Sequence, residues 1–142
     1  MLVIVALIAC APTAAALALT TPATIRITDV QQSYRRIDGA HGRPGSVELI
    51  DQLLYNAAVT KHSIGRARMV CTYLDDRARN CSATFVLPKG SLVAEGVISS
   101  RLFFEVPIVG GTGLYANVRG TLTVTSLGLR PRRELLLFRL VP

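Results

Sequence analysis

The chain has 142 residues, half of them hydrophobic, with 6% aromatic and no Trp, which is enough for one domain with a substantial core. Sixteen Lys and Arg against nine Asp and Glu give a formal charge of +7 and an isoelectric point near 10.0. The basic residues are scattered pairs such as Arg35 and Arg36, Arg66 and Arg68, Arg77 and Arg79, with no helical stripe and no interleaved aromatic residues, so a solvated basic surface is expected and nucleic-acid binding is not.

Residues 1–19 carry no charge and are nearly all Ala, Leu, Val and Ile. This is the pattern of an export leader over residues 1–23, leaving residues 24–142 as the folded domain. Ala16-Leu17-Ala18 offers a cleavage site, whereas Leu7-Ile8-Ala9-Cys10 has the form of a lipobox in which Cys10 carries the lipid. An uncleaved anchor is the third alternative, and Pro12 makes it a poor span. On these readings the mature protein is extracellular or lipid-anchored at the cell surface, and it meets a membrane only through this segment.

Residues 23–34 are rich in β-branched side chains and predict a first strand; residues 37–46, with three Gly and a Pro, predict a loop. Residues 46–55 fit a strand by their β-formers and a short helix by their Leu spacing. After a loop at residues 56–63, residues 64–74 and 79–87 form a hairpin with its turn centred on Asp76. That register sets Cys71 opposite Cys81, Met69 opposite Ala83 and Ala67 opposite Phe85. Directly opposed residues of antiparallel strands come within disulfide range, so Cys71 and Cys81 are expected to be bridged, as befits an oxidising compartment. The alternative is two buried thiols. No metal is expected, because His41 and His62 are remote from the two Cys.

A turn at residues 88–90 leads to strands at residues 91–99 and 102–109, and a further strand is read at residues 114–125. Residues 127–133 read as a turn, and residues 134–141 as a closing strand. The prediction is an all-β chain of eight short antiparallel strands, which suits a small closed barrel, either filled by side chains or holding one small ligand.

Between the sixth and seventh strands stands VGGTGLYANVRG, from Val109 to Gly120. A turn of this kind followed by an aromatic residue, small residues and a closing glycine resembles the signature of the allene oxide cyclase barrel and dirigent superfamily. The resemblance implies an eight-stranded antiparallel barrel, and its second strand resembles residues 46–55, which tips that stretch to strand. It further implies a small hydrophobic partner, an isomerase or cyclase-like activity or a dirigent role, and assembly as homodimer or homotrimer. In such barrels the protein supplies confinement, orientation and a few polar contacts, and the substrate supplies much of the reactivity.

The sequence shows no conventional catalytic motif, and no helix pattern follows GGTG, which removes a phosphate-binding reading; no cofactor is expected. Candidate catalytic residues are Asp51, Glu95 and Arg119, since a carboxylate in an apolar barrel has a raised pKa suited to proton transfer. Candidate ligand-binding residues are Tyr55, Met69, Tyr73, Phe85, Tyr115 and Asn117. Along the seventh strand Tyr115, Asn117 and Arg119 alternate with Leu114, Ala116 and Val118, so these polar groups bind a ligand if their face looks inward and are surface residues if it looks outward. Two other readings stand beside the ligand-steering barrel: a filled, non-enzymatic secreted module, and a basic surface protein that binds anionic polymers.

Overall fold

The computed structural model describes residues 18–37, 42–59 and 61–142. The leader, up to residue 17, with Cys10, and His41 lie outside the described residues. The chain forms β1 (Ala23–Ile37), β2 (Val47–Asn56), β3 (Gly65–Tyr73), β4 (Arg79–Leu87), β5 (Gly90–Ile98), β6 (Phe103–Gly111), β7 (Arg119–Leu129) and β8 (Arg132–Val141). Each strand pairs antiparallel with the next, and β1 pairs also with β8, closing the sheet into a barrel. The eight strands expected from sequence are therefore present, and the stretch expected at residues 46–55 is strand β2, one residue further on.

Closure gives every strand an inner and an outer face. Ala67, Met69, Cys71 and Tyr73 on β3, and Cys81, Ala83, Phe85 and Leu87 on β4, are buried, while Arg66, Arg68, Thr72, Ser82 and Thr84 are exposed. The register of this hairpin is the one read from sequence, and a Cys71–Cys81 disulfide joins the two strands. Phe85 meets Phe138 edge to face with centroids 5.0 Å apart, beside Leu92, Ile108, Leu122, Leu136 and Leu140, which fill the lower barrel. Each such buried side chain contributes roughly 1.5–3 kcal/mol.

One end is sealed by the glycine turn. Thr112 donates its N–H to Ser91 O and Leu114 to Lys89 O, which locks the turn onto the β4–β5 hairpin. Gly113 (φ +61°) and Gly90 (φ +143°) face each other so closely that a Cβ on Gly90 would stand 2.0 Å from Thr112 O, so neither position tolerates a side chain. Leu19 extends the seal, donating its N–H to Leu114 O at 2.8 Å. The turn also corrects the seventh strand. Gly113–Tyr115 is a single 3-10 turn and Asn117 has φ 66°, so the strand starts at Arg119 instead of residue 114. At the other end β7 continues to Leu129 and β8 starts at Arg132, which shortens the turn expected at residues 127–133.

Two irregularities shape the opposite, open end. In β1 the register slips between Gln31 and Ser33, so Gln32 is an extra residue. Between β5 and β6 the register pairs are Leu92 with Gly111, Val93 with Gly110 and, after a shift, Ala94 with Ile108, three in all against nine between β4 and β5. Pro107 has no N–H to give to a ladder there.

Loss of the disulfide tests how much the barrel wall depends on it. Replacing both Cys71 and Cys81 by Ser should lower unfolding free energy by about 2 to 3 kcal/mol. Denaturant melts of the variant and of reduced wild-type protein would check this, and coincident curves for oxidised and reduced protein would refute it.

Candidate functional site

Inside a barrel, polar side chains must find partners or titrate. On β2 the inner face is Glu48, Ile50, Gln52 and Leu54, all buried, and two of the four are polar. The bulge at Gln32 matters to both polar residues. Before it, Ile27 and Asp29 face inward; after it the parity reverses, so Tyr34 and Arg36 stand opposite Ile50 and Glu48.

Two polar layers result. The deeper one joins Asp29, Gln52 and Glu134. Gln52 Nε2 donates to Asp29 Oδ2 and, at 3.4 Å, to Glu134 Oε2; the backbone N–H of Glu134 donates to Asp29 Oδ1 at 2.9 Å. Arg132 Nε donates to Glu134 Oε1 at 2.8 Å. Burial, with the nearby Glu134 charge second, pushes the Asp29 carboxyl up to about 8, against the lesser pull of its hydrogen bonds and Arg132. A buried carboxyl set beside a second carboxyl holds its proton at neutral pH.

The outer layer is built on Glu48, which is fully buried. Tyr34 Oη and Tyr73 Oη donate to Glu48 Oε1, Arg79 Nη1 donates to Oε2 at 3.3 Å, and Arg101 Nη2 donates to Oε1 at 3.1 Å. Burial pushes the Glu48 carboxyl up, but the two tyrosine hydroxyls and then Arg101 and Arg79 outweigh it and hold the group below its usual range. Arg132 Nη2 donates to Arg101 O at 3.2 Å and so links the two layers.

Beneath the deeper layer lies a cavity whose polar lining is Asp29, Gln52 and Glu134 and whose apolar lining includes Met69, Phe85, Phe104 and Leu122. It leaves about 20 Å³ for the centres of water molecules, room for about one water. The unfilled space, partly open to solvent, is about 350 Å³. Among the described residues no group of three or more His, Cys, Asp or Glu could hold a metal ion.

Of the residues singled out from sequence, Met69 and Phe85 line this cavity and Tyr73 joins the Glu48 cluster. The three catalytic candidates point elsewhere. Asp51 lies on the outer face of β2, accepting from Arg68 Nε at 2.7 Å and from Ser33 Oγ. Glu95 is exposed and accepts from Ser82 Oγ at 3.0 Å. Arg119 is exposed and donates to Val109 O, because Leu122 and Val124 take the inner positions of β7. Tyr55 lies on the outer parity of β2, Asn117 is exposed in the turn, and Tyr115 is buried at the sealed end, outside the cavity lining. Asp29, Glu48, Gln52 and Glu134 were missed. The signal for them was parity: Asp29 shares it with Ile25 and Ile27, and Glu134 with Leu136, Phe138 and Leu140.

The closed eight-stranded antiparallel barrel is a fold that this chain shares with dirigent proteins of known structure. The chain is similar in structure to a pyocyanin demethylase (24% identity, TM-score 0.71, 84% of this chain and 100% of that one). It is similar also to a pterocarpan synthase dirigent protein (15% identity, TM-score 0.68, 94% of each chain). A Diels–Alderase from Streptomyces koyangensis shares 18% identity at a TM-score of 0.65, over 87% of this chain and 70% of that one. No protein-family model matches the chain, and no curated protein sequence does.

The two layers respond oppositely to change. Glu48→Gln leaves Arg79 buried without a counter-charge and should cost about 3–5 kcal/mol, read by denaturant melts. For Asp29 the folded carboxyl keeps its proton up to about pH 8 while the unfolded one releases it near its ordinary 3.8, so unfolding releases a proton across that window and stability falls as pH rises through it. Asp29→Asn removes this slope. The variant should therefore gain on wild type in melting temperature from about pH 5 to about pH 8, and a pH-independent difference would count against a protonated Asp29.

Proposed function

We propose that this chain is an exported barrel that holds a small hydrophobic molecule and steers its stereoselective cyclisation or coupling. The observation that carries the reading is the placement of Asp29, Gln52 and Glu134 on one wall of a cavity whose remaining walls are mostly apolar. A protonated Asp29 donates its proton, or a hydrogen bond, to an oxygen that gains negative charge as a ring closes, and Gln52 and Arg132 hold the two carboxyl groups in place. The apolar walls fix which face of the substrate meets the forming bond. Support comes from the fold, which the pterocarpan synthase dirigent protein and the Diels–Alderase share. Export is supported by the apolar N-terminal stretch and the disulfide.

A substrate larger than water enters by displacing side chains. Met69 is unbranched and repacks readily, and Phe104 is half-buried on β6, where the ladder to β5 has ended. The near-filled lumen favours a second reading, a non-enzymatic binding or structural module.

The test is incubation with an unstable fatty-acid epoxide and, separately, with a phenol plus a one-electron oxidant, followed by chiral chromatography. An enantiomeric excess that Asp29→Asn lowers together with a rate loss of about 10²-fold supports the first reading. Racemic products from every probe, with no shift in the thermal melt, establish the second.

A further inference from the structure

Every exposed Leu, Ile and Phe among the described residues stands at the open end of the barrel: Ile37, Leu74, Leu102, Phe103, Leu127 and Leu129. The large apolar side chains exposed elsewhere on the barrel are all Val. Four of the six sit on two neighbouring connections, the β5–β6 loop and the β7–β8 hairpin: Leu102 is 68% exposed, Phe103 58%, Leu127 56% and Leu129 70%. Ser126 donates its N–H to Leu102 O at 2.8 Å and Phe103 pairs with Thr125, so the two tips lie side by side. We infer that these tips dock the open end onto an anionic lipid bilayer, with the four apolar side chains in the boundary between headgroups and acyl chains and Arg130 and Arg133 on the lipid phosphates. The inference goes beyond the ligand-steering reading and does not depend on it.

Single exposed apolar residues scattered over a surface mean little, but a cluster of large ones marks a contact. Here the backbone keeps them out of the core. The register of β7 against β8 shifts between Ser126 and Gly128, which leaves Leu127 as an extra residue, and Leu129 is the last residue of β7. Charge selects the partner. Arg130 and Arg133 on the same hairpin are exposed, and neither forms an ion pair with a described residue, whereas Arg132 between them is held by Glu134. The nearest exposed acid along β6, Glu105, lies two residues past Phe103 and faces Arg139 at 3.8 Å. Two uncompensated guanidinium groups beside four apolar side chains match the layering of a bilayer, phosphate outside and hydrocarbon beneath, and the formal charge of +7 draws the chain to an anionic surface. A fluid boundary accepts side chains projecting from separate turns, where a protein partner needs a surface complementary to them. Leu19 donates to Leu114 O at the sealed end, so this contact is distinct from any made through the residues preceding it.

The chain has no Trp, so one introduced Trp reports on one place. In the full chain, Leu129→Trp marks the mouth and Val141→Trp, on an exposed residue of the sealed end, marks the other pole. With vesicles of phosphatidylcholine and phosphatidylglycerol, the mouth reporter should shift to the blue and be quenched by brominated acyl chains, while the sealed-end reporter does neither. Vesicles of phosphatidylcholine alone should bind at least ~10-fold more weakly. Added to the mouth reporter, Arg130→Gln and Arg133→Gln should each weaken binding to the anionic vesicles by roughly 5-fold, and Leu102→Ser by roughly 10-fold, all with an unchanged thermal melt. A blue shift at Val141→Trp, alone or alongside the mouth reporter, overturns the inference. So does binding that the three substitutions leave unchanged, and so does the absence of a shift at the mouth, whether or not the protein sediments with the vesicles. A mouth reporter already shifted without vesicles, in a protein whose mass grows with concentration, assigns the tips to a second copy of the chain and overturns it as well.

Discussion

β1 bonds to β2 along one edge and to β8 along the other, and from that double pairing the sidedness of every residue in the barrel follows. A sheet with free edges can slide or expose its polar residues to water. A closed one cannot: each second residue is committed to a lumen of fixed circumference. The single-residue slip at Gln32 is the one place in β1 where the commitment changes, and it brings Tyr34 to the mouth without disturbing Asp29 deeper down.

Confinement also explains why the polar residues come as networks. Glu48 and Glu134 are each buried with cations, at a desolvation cost that only close hydrogen bonding offsets. Asp29 meets a different solution, since its nearest charges include another carboxyl; it keeps its proton instead of recruiting a cation of its own. Ion pairs toward the mouth and a neutral acid further in give the lumen a gradient from charged to apolar along its axis. The link from Arg132 to Arg101 joins the two layers.

The sealed and open ends do separate work. The glycine turn interlocks backbone with backbone, so it holds the floor of the barrel without spending side-chain volume. Opposite it, the ladder between β5 and β6 is short, and the loop carrying Arg101 joins the two strands. Structural neighbours on the same fold include a demethylase, a dirigent protein and a Diels–Alderase, so the fold supplies the container and the inward residues decide its chemistry.

The sequence by itself determined the strand count, the β3–β4 register with its disulfide, and the position of the sealing turn. These are local matters: alternation with period two, a hairpin of fixed length, and glycines where backbones touch. It also held the clue to the polar layers, in acidic residues on the parity of Ile27 or Leu136, but β2 has apolar residues on both parities, so alternation alone does not say whether Asp51 or Glu48 faces inward. Only closure broke that tie. Likewise Tyr115, Asn117 and Arg119 alternate as a strand would, and only the packing of the turn against Lys89 and Ser91 takes Tyr115 and Asn117 off the ladder. Which carboxylates share a cavity depends on residues as distant as Asp29 and Glu134 lying side by side, a long-range pairing that no stretch of sequence contains.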